Sequence, residues 1–272
     1  MIKACAIIAG SGSFPLQVAR EAKRAGWRVA VVGLQGWADP ALAAQADAYE
    51  SLAIGELGRL VSWLKSQGAA TAVMAGKVTK QVLLDPRTPF DAAAKRVLAH
   101  AKDFSVPQVL GAVAAHLATH GITLVDSSAF LQGSLCPAGV LTRRHPTPDE
   151  QEDIRVGAEL ARQLARWDVG QAVVVKRTVI VAVEALEGTD AAIQRAGALA
   201  GPGCVVVKMA APDQDMRFDV PILGLKTLDV AREAGIACIA VHAGKTLLLD
   251  RDAWLSQADA AGLSLVGVEP AG

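Results

Sequence analysis

The chain has 272 residues, 52% of them hydrophobic and 20% charged, a length that at about 100–150 residues per domain gives two domains or one large one and excludes a disordered tail or a disulfide miniprotein. Its 27 basic and 27 acidic side chains cancel, which removes the broad positive field expected of a nucleic-acid binder. Cys5, Cys136, Cys204 and Cys238 stand far apart without a CxxC pair, so neither a zinc site nor a disulfide framework is expected, and a reducing cytoplasm fits.

Ala4–Ala9 reads as a buried strand, 14–25 as a helix and 28–32 as a second strand, a βαβ start. An amphipathic helix over 56–67 leads to a strand at Thr71–Ala75, then to helices over 91–102 and 106–120 and a short strand at 123–125. Residues 133–148 contain Pro137, Gly139, Pro146 and Pro148 without helical or strand period and read as a linker. Thr147 and Glu150 form a capping-box pattern, opening a helix that runs to about 167. Beyond it, 172–175 and Val179–Val183 form a hairpin pattern, followed by strands at 204–207 and 236–241 around a helix over 223–234. The expected fold is two α/β domains, a Rossmann-like one at 1–132 and a catalytic one at 149–272, joined by the proline-containing linker. The mean hydropathy of +0.33 comes from short Val, Ile and Ala runs suited to buried parallel strands, none long enough to span a bilayer or form a signal peptide.

Gly10-Ser11-Gly12-Ser13-Phe14-Pro15 follows a strand and opens a helix, the place of a dinucleotide fingerprint. Its third position is Pro15, however, and Gly33-Leu34-Gln35 stand where the ribose-binding acid belongs. A tight turn, or a phosphate or uridyl contact through backbone N–H groups, remain as readings. Gly244-Lys245-Thr246 ends like a P-loop, but Ile239 occupies the place of its first glycine, and Leu117 after His116 breaks a zinc-protease pattern with His120.

Two acidic turns follow apolar strands. Asp213, Asp215 and Asp219 share seven positions with Arg217, and a calcium loop fails there because Phe218 and Gly224 replace its glycine and glutamate. Met216, Phe218 and Val220 alternate with the charges, a pattern expected of a loop pinned by its apolar members with the charged ones directed at a ligand. Glu184, Glu187 and Asp190 form the second turn, where Thr189 or Asp190 could also cap the following helix. Carboxylates with no His or Cys nearby suit magnesium, with manganese as a substitute; the expected ligands are Asp215, Asp219 and Glu184.

The phrases VEALEGTDAAIQRAG, VVVKMAAPDQDMRFDVPILGLKTLDVA and AVHAGKTLLLD, with IIAGSGSFPLQVA, VMAGKV and DSSAFL nearer the start, resemble those of the LpxI-type UDP-2,3-diacylglucosamine pyrophosphatases of Gram-negative lipid A synthesis. The resemblance runs nearly end to end. It implies a two-domain, magnesium-dependent hydrolase that converts UDP-2,3-diacylglucosamine to UMP and 2,3-diacylglucosamine 1-phosphate, cytoplasmic and peripherally associated with the inner membrane. It further implies water attack at the β-phosphorus and an essential aspartate in the RFDVP phrase, here Asp219. Asp213 stands where many relatives carry glycine, so no catalytic role is assigned to it.

Joined to that resemblance, the residue readings make Asp219, Asp215 and Arg217 the catalytic candidates. Gly10, Gly12, Gly76 and Lys77 are expected to hold the substrate, with Glu187, Gly188, Thr189, Asp190, Lys208 and Lys226 from the C-terminal half. The competing readings are another nucleotide-sugar diphosphate hydrolase and a noncatalytic lipid or nucleotide sensor. Oligomeric state is left open, a homodimer being one reading.

Overall fold

The structure, a computed structural model, describes residues 3–78, 82, 85, 87–99 and 105–269. The chain divides into two compact units. One comprises Met1–Gln132 together with Asp215–Asp219, the other Gly133–Gln214 with Val220–Gly272.

In the first unit, β1 (Ala4–Ala9), α1 (Phe14–Arg24) and β2 (Arg28–Leu34) form the expected start. A short helix α2 (Leu42–Gln45) leads to β3 (Ala48–Leu52), a strand with little sequence signal because its first four residues are not fully buried. The chain continues through α3 (Leu57–Ser66), β4 (Thr71–Ala75), α4 (Ala92–Ala99), α5 (Val106–Thr119) and β5 (Thr123–Leu124). Residues 100–102 of the helix expected over 91–102 lie outside the described residues. The five strands are all parallel in the order β3-β2-β1-β4-β5. Connections from β1 run one way through β2 and the other way to β4, which makes the carboxyl ends of β1 and β4 the topological switch point where such sheets hold ligands.

Helix α1 covers one face of this sheet with Val18, Ala19 and Ala22, packing on β1, β2 and β4. The other face, with Ala6, Ile8, Val32 and Ala72, packs on Leu57, Leu60, Val61 and Leu64 of α3, Val97 of α4 and Leu117 of α5. Both faces are therefore dry, which is why the strands read as continuous apolar runs.

The second unit holds a six-stranded sheet ordered β6-β13-β11-β9-β7-β8, and a parallel pair β10 (Ile222–Leu223) and β12 (Leu247–Leu248). Its strands are β6 (Gly139–Val140), β7 (Ala172–Lys176), β8 (Val179–Val183), β9 (Cys204–Lys208), β11 (Ile236–His242) and β13 (Ser264–Val268). Pairing is parallel among β9, β11 and β13, and antiparallel at β6, β7 and β8. The helices are α6 (Pro148–Arg166), α7 (Thr189–Ala200), α8 (Leu225–Glu233) and α9 (Arg251–Ala260).

Alternation with period two divides this sheet. Val173, Val175, Val205, Val207, Cys238 and Ala240 pack with Ile154 and Ala161 of α6, whereas Val174, Val206, Ile239, Val241 and Leu265 pack with Ile193, Leu228 and Trp254 of α7, α8 and α9. The Thr147 capping box is formed in full, with Glu150 N–H donating to Thr147 Oγ1 at 3.2 Å and Thr147 N–H to Glu150 Oε2 at 2.9 Å.

The β7–β8 hairpin turns through Arg177 and Thr178, both at positive φ without glycine. Buried Asp153 accepts both of their N–H groups, which offsets the cost of that conformation.

Residues 133–148 are seated in the second unit. Gly139–Val140 pairs with β13, Cys136 N–H donates to Thr246 O at 2.8 Å, and Arg144 bonds Ser264 Oγ at 2.7 Å, Ala237 O at 3.1 Å and Glu150 Oε1 at 2.5 Å. Their hydrogen bonds are made at long range, which is why the segment has no period of its own.

Candidate active site

At the switch point of the first unit, the loop after β1 meets the loop after β4. Gly10 N–H donates to Ala75 O at 2.8 Å, Ser11 N–H to Lys77 O at 2.9 Å, and Lys77 N–H to Ser11 O at 3.0 Å. Ser11 Oγ also donates to Lys77 O at 2.8 Å. A Cβ on Gly10 would stand 2.8 Å from Lys77 O, and one on Gly76, whose φ is +93°, would stand 2.7 Å from Gly10 C and from Ser11 O. Close backbone approach therefore explains these two glycines. The N–H groups of Gly10 and Ser11 are spent on protein carbonyls. Gly12 and the side chain of Lys77 are exposed beside them.

Asp215–Asp219 belongs to this same unit although it lies far along the chain. Ser127, 2% exposed just beyond β5, donates its N–H to Met216 O at 2.9 Å, and its hydroxyl lies 2.6 Å from Met74 O and 2.9 Å from Arg217 O. Phe218 packs against the core cluster of Ala6, Ile8 and Val32, so the apolar alternation does mark a pinned loop.

The Arg217 guanidinium bonds Asp215 twice, Nε to Oδ1 at 2.9 Å and Nη2 to Oδ2 at 2.7 Å, and lies 4.8 Å from the Phe218 ring centroid. This fork holds the Asp215 carboxyl below its ordinary range, against a smaller opposing effect of burial. Asp219 follows as an exposed residue whose N–H lies 3.3 Å from Asp215 O.

In the second unit the turn after β8 is tied to donors from its own residues and from neighbouring elements of that unit. Glu184 accepts from Thr189 Oγ1 at 2.8 Å and from Gln171 N–H at 3.2 Å, and Lys208 at the end of β9 donates to Thr189 Oγ1 at 2.9 Å. Glu187 accepts from Arg195 at 2.7 Å and from Ala185 N–H at 3.1 Å. Asp190 accepts from Thr227 Oγ1 at 2.9 Å and pairs with Lys226 at 3.2 Å.

Helices α7 and α8 begin at Gly188 and Gly224 without side-chain caps, so their N-terminal amides and dipoles suit an anion together with Lys208 and Lys226. A surface concavity of about 580 Å³ lined by Gln194, Gly197, Arg232 and Gly235 lies toward the other ends of these helices, where the dipole repels anions.

The three expected metal ligands are distributed: Asp215 and Asp219 in the first unit, Glu184 in the second. Among the described residues no three His, Cys, Asp or Glu side chains gather to hold an ion. Asp213 is exposed; the His116 and His120 rings lie tilted with centroids 4.6 Å apart, and His120 Nδ1 lies 2.9 Å from His116 O and 3.1 Å from Thr119 Oγ1.

Sequence reasoning gave no role to Ser127, which was present only within the DSSAFL phrase, shortly after β5. Lys245, considered there only as the end of a P-loop pattern, donates to Ala211 O and Pro212 O at 3.3 Å and secures the chain leaving β9.

Two family models match the chain. The LpxI N-terminal domain matches residues 4–134 and the LpxI C-terminal domain residues 137–266. The UDP-2,3-diacylglucosamine pyrophosphatase LpxI of Caulobacter vibrioides is 31% identical over 277 residues, covering 97% of each chain. Solved structures are only distantly alike. The biotin carboxylase subunit of pyruvate carboxylase is 13% identical at a TM-score of 0.27, over 64% of this chain and 35% of that one. A biotin carboxylase from Campylobacter jejuni is 14% identical at 0.29, over 74% and 42%. This chain thus spans well under half the length of those carboxylases. The CobK precorrin-6A reductase is 11% identical at 0.33, over 100% and 91%.

Proposed function

The chain belongs to the LpxI family, and on that premise we propose that it hydrolyses UDP-2,3-diacylglucosamine to UMP and 2,3-diacylglucosamine 1-phosphate. The observation that carries the reading is the near end-to-end match with the Caulobacter pyrophosphatase. The seating of Asp215–Asp219 in the first unit supports it, because that places an exposed carboxylate in an anchored segment of the unit that carries Lys77 at its switch point.

In this reading water attacks the β-phosphorus while Asp219 accepts its proton. A new phosphorus–oxygen bond forms, the bond to the bridging oxygen breaks, and UMP departs with that oxygen. Arg217, oriented by Asp215, offers positive charge to the phosphates, and Lys77 binds them in ground and transition state alike. In the second unit Lys208, held by Thr189 and Glu184, and the amide ends of α7 and α8 suit phosphate oxygens.

Magnesium belongs to the same proposal. Among the described residues no three ligating side chains form a cage, but magnesium commonly takes one or two carboxylates, substrate phosphates and water, and Asp219 is the carboxylate that fits. Bound there, the ion would neutralise phosphate charge. The acyl chains bring the substrate to a lipid surface, consistent with peripheral attachment to the inner membrane. Among the described residues no helix is long and apolar enough to cross one.

The test is turnover of UDP-2,3-diacylglucosamine beside UDP-N-acetylglucosamine in ¹⁸O-water, with and without EDTA. We expect UMP from the diacylated substrate alone, label in the sugar phosphate, and loss of activity on chelation that magnesium restores. Equal turnover of both sugars would identify a different nucleotide-sugar hydrolase. Binding without turnover would identify a sensor, and full rate in EDTA with no metal retained would remove the ion.

A further inference from the structure

We infer that Ser127 is a positioning residue for Asp219, an inference that rests on the catalytic role given to that aspartate above. One buried residue holds two successive carbonyls of the segment: Ser127 N–H donates to Met216 O at 2.9 Å, and its hydroxyl reaches Arg217 O at 2.9 Å. The same hydroxyl lies 2.6 Å from Met74 O, in β4. Its single proton is shared between two acceptors, so the segment is tied to the edge of a strand whose own position is fixed by the sheet.

Ser127 is itself held. Asp126 Oδ1 accepts from Ser128 N–H at 2.7 Å and from Ser128 Oγ at 2.6 Å, and Gln132 Nε2 donates to Ser128 Oγ at 3.0 Å, closing the turn after β5. Within the segment, Asp215 O accepts from Phe218 N–H at 3.1 Å, and Asp219 N–H lies 3.3 Å from the same oxygen. Asp219 therefore follows a turn whose carbonyls are fixed by Ser127 and whose ring, Phe218, is packed on the core. A loop carboxylate needs such a tie, since misplacement by about 1 Å is enough to cost on the order of 100-fold in rate.

The experiment is Ser127→Ala, alone and combined with Asp219→Ala, read by steady-state kinetics and by hydrogen exchange of the peptide spanning 214–220. Expected for the single variant is a kcat lowered about tenfold or more with KM within about twofold, and faster exchange in that peptide while the strands keep their protection. On the Asp219→Ala background the serine change is expected to cost nothing further, because partners acting as one unit are not additive. A folded Ser127→Ala enzyme with wild-type kcat overturns the inference, as does a loss confined to KM or one that recurs in full in the double variant. If the alanine variant does not fold, Ser127→Cys, close in shape with a weak donor, carries the same measurements with the same outcomes. Wild-type rate in Asp219→Ala alone would instead remove the role of Asp219 itself.

Discussion

The two acidic turns look alike as sequence, each with three carboxylates after an apolar strand and before a helix, yet they are put to different use. In the turn of the second unit Glu184, Glu187 and Asp190 all accept hydrogen bonds from their own unit, and Lys208 is drawn into the same network through Thr189. In Asp215–Asp219 one carboxylate, Asp215, is given to Arg217, and the next, Asp219, is exposed. The difference lies in exposure and anchoring: the carboxylates of the second unit's turn are tied to donors of that unit and order it, whereas Asp219 stands at an exposed position of an anchored segment, where a substrate can reach it.

The largest effect that could break this comparison is that of Asp219→Asn. We expect kcat to fall by about 10² or more, within the roughly 10² to 10⁴ that a general base supplies, with the thermal midpoint unchanged. A variant retaining over a tenth of the rate would falsify a direct role.

Next in size is Lys77→Ala. Lys77 is exposed, with its backbone paired to Ser11, and its ammonium is assigned to binding shared by ground and transition states, so KM should rise about tenfold with kcat within about twofold. Unchanged KM would send Lys77 back to the surface.

Glu184→Gln sharpens the other side of the comparison. Weakening the acceptor for Thr189 loosens the placement of Lys208, and a net hydrogen bond is worth about 1 kcal/mol, so KM should rise about threefold to tenfold with little change in kcat. A kcat loss as deep as that of Asp219→Asn would mean that the two turns share the chemistry after all.

The smallest effect concerns acid. Arg217 depresses the Asp215 pKa below its ordinary value of 3.8, so the folded state holds that proton less readily than the unfolded one. The pair's stabilisation is then complete above about pH 4 and is lost as pH falls through the folded-state value. With side chains 43% and 36% exposed, it amounts to under about 1 kcal/mol. Urea titrations between pH 5 and pH 2 should show a slightly shallower acid loss in Asp215→Asn, and an identical profile would mean that the pair contributes nothing.

Much of the local structure was legible because its causes are local. The βαβ start follows from apolar runs either side of a glycine turn, and the start of α6 from Thr147 and Glu150, whose reciprocal bonds span three residues. The hairpin across Arg177 and Thr178 was readable from two Val-rich runs, but not the reason its turn holds, since Asp153 reaches it from α6. Likewise 133–148 looks like a linker only while its partners, β13, Thr246 and Ser264, are out of view.

For the candidate site the division is sharper. Sequence alone determined which residue types could act: the acidic turns, Lys77 and Lys208 at strand ends, and the apolar alternation of Met216, Phe218 and Val220 that marks a pinned loop. Only the tertiary structure decided that Gly10 and Gly76 serve backbone contact, that Asp215 belongs to Arg217, and that Asp215–Asp219 is part of the first unit, with Ser127 bonding its carbonyls. The physical reason is that a carboxylate's or an amide's role depends on which donor or acceptor stands within about 3 Å. Partners brought from some 90 positions away by the sheet leave no trace in spacing.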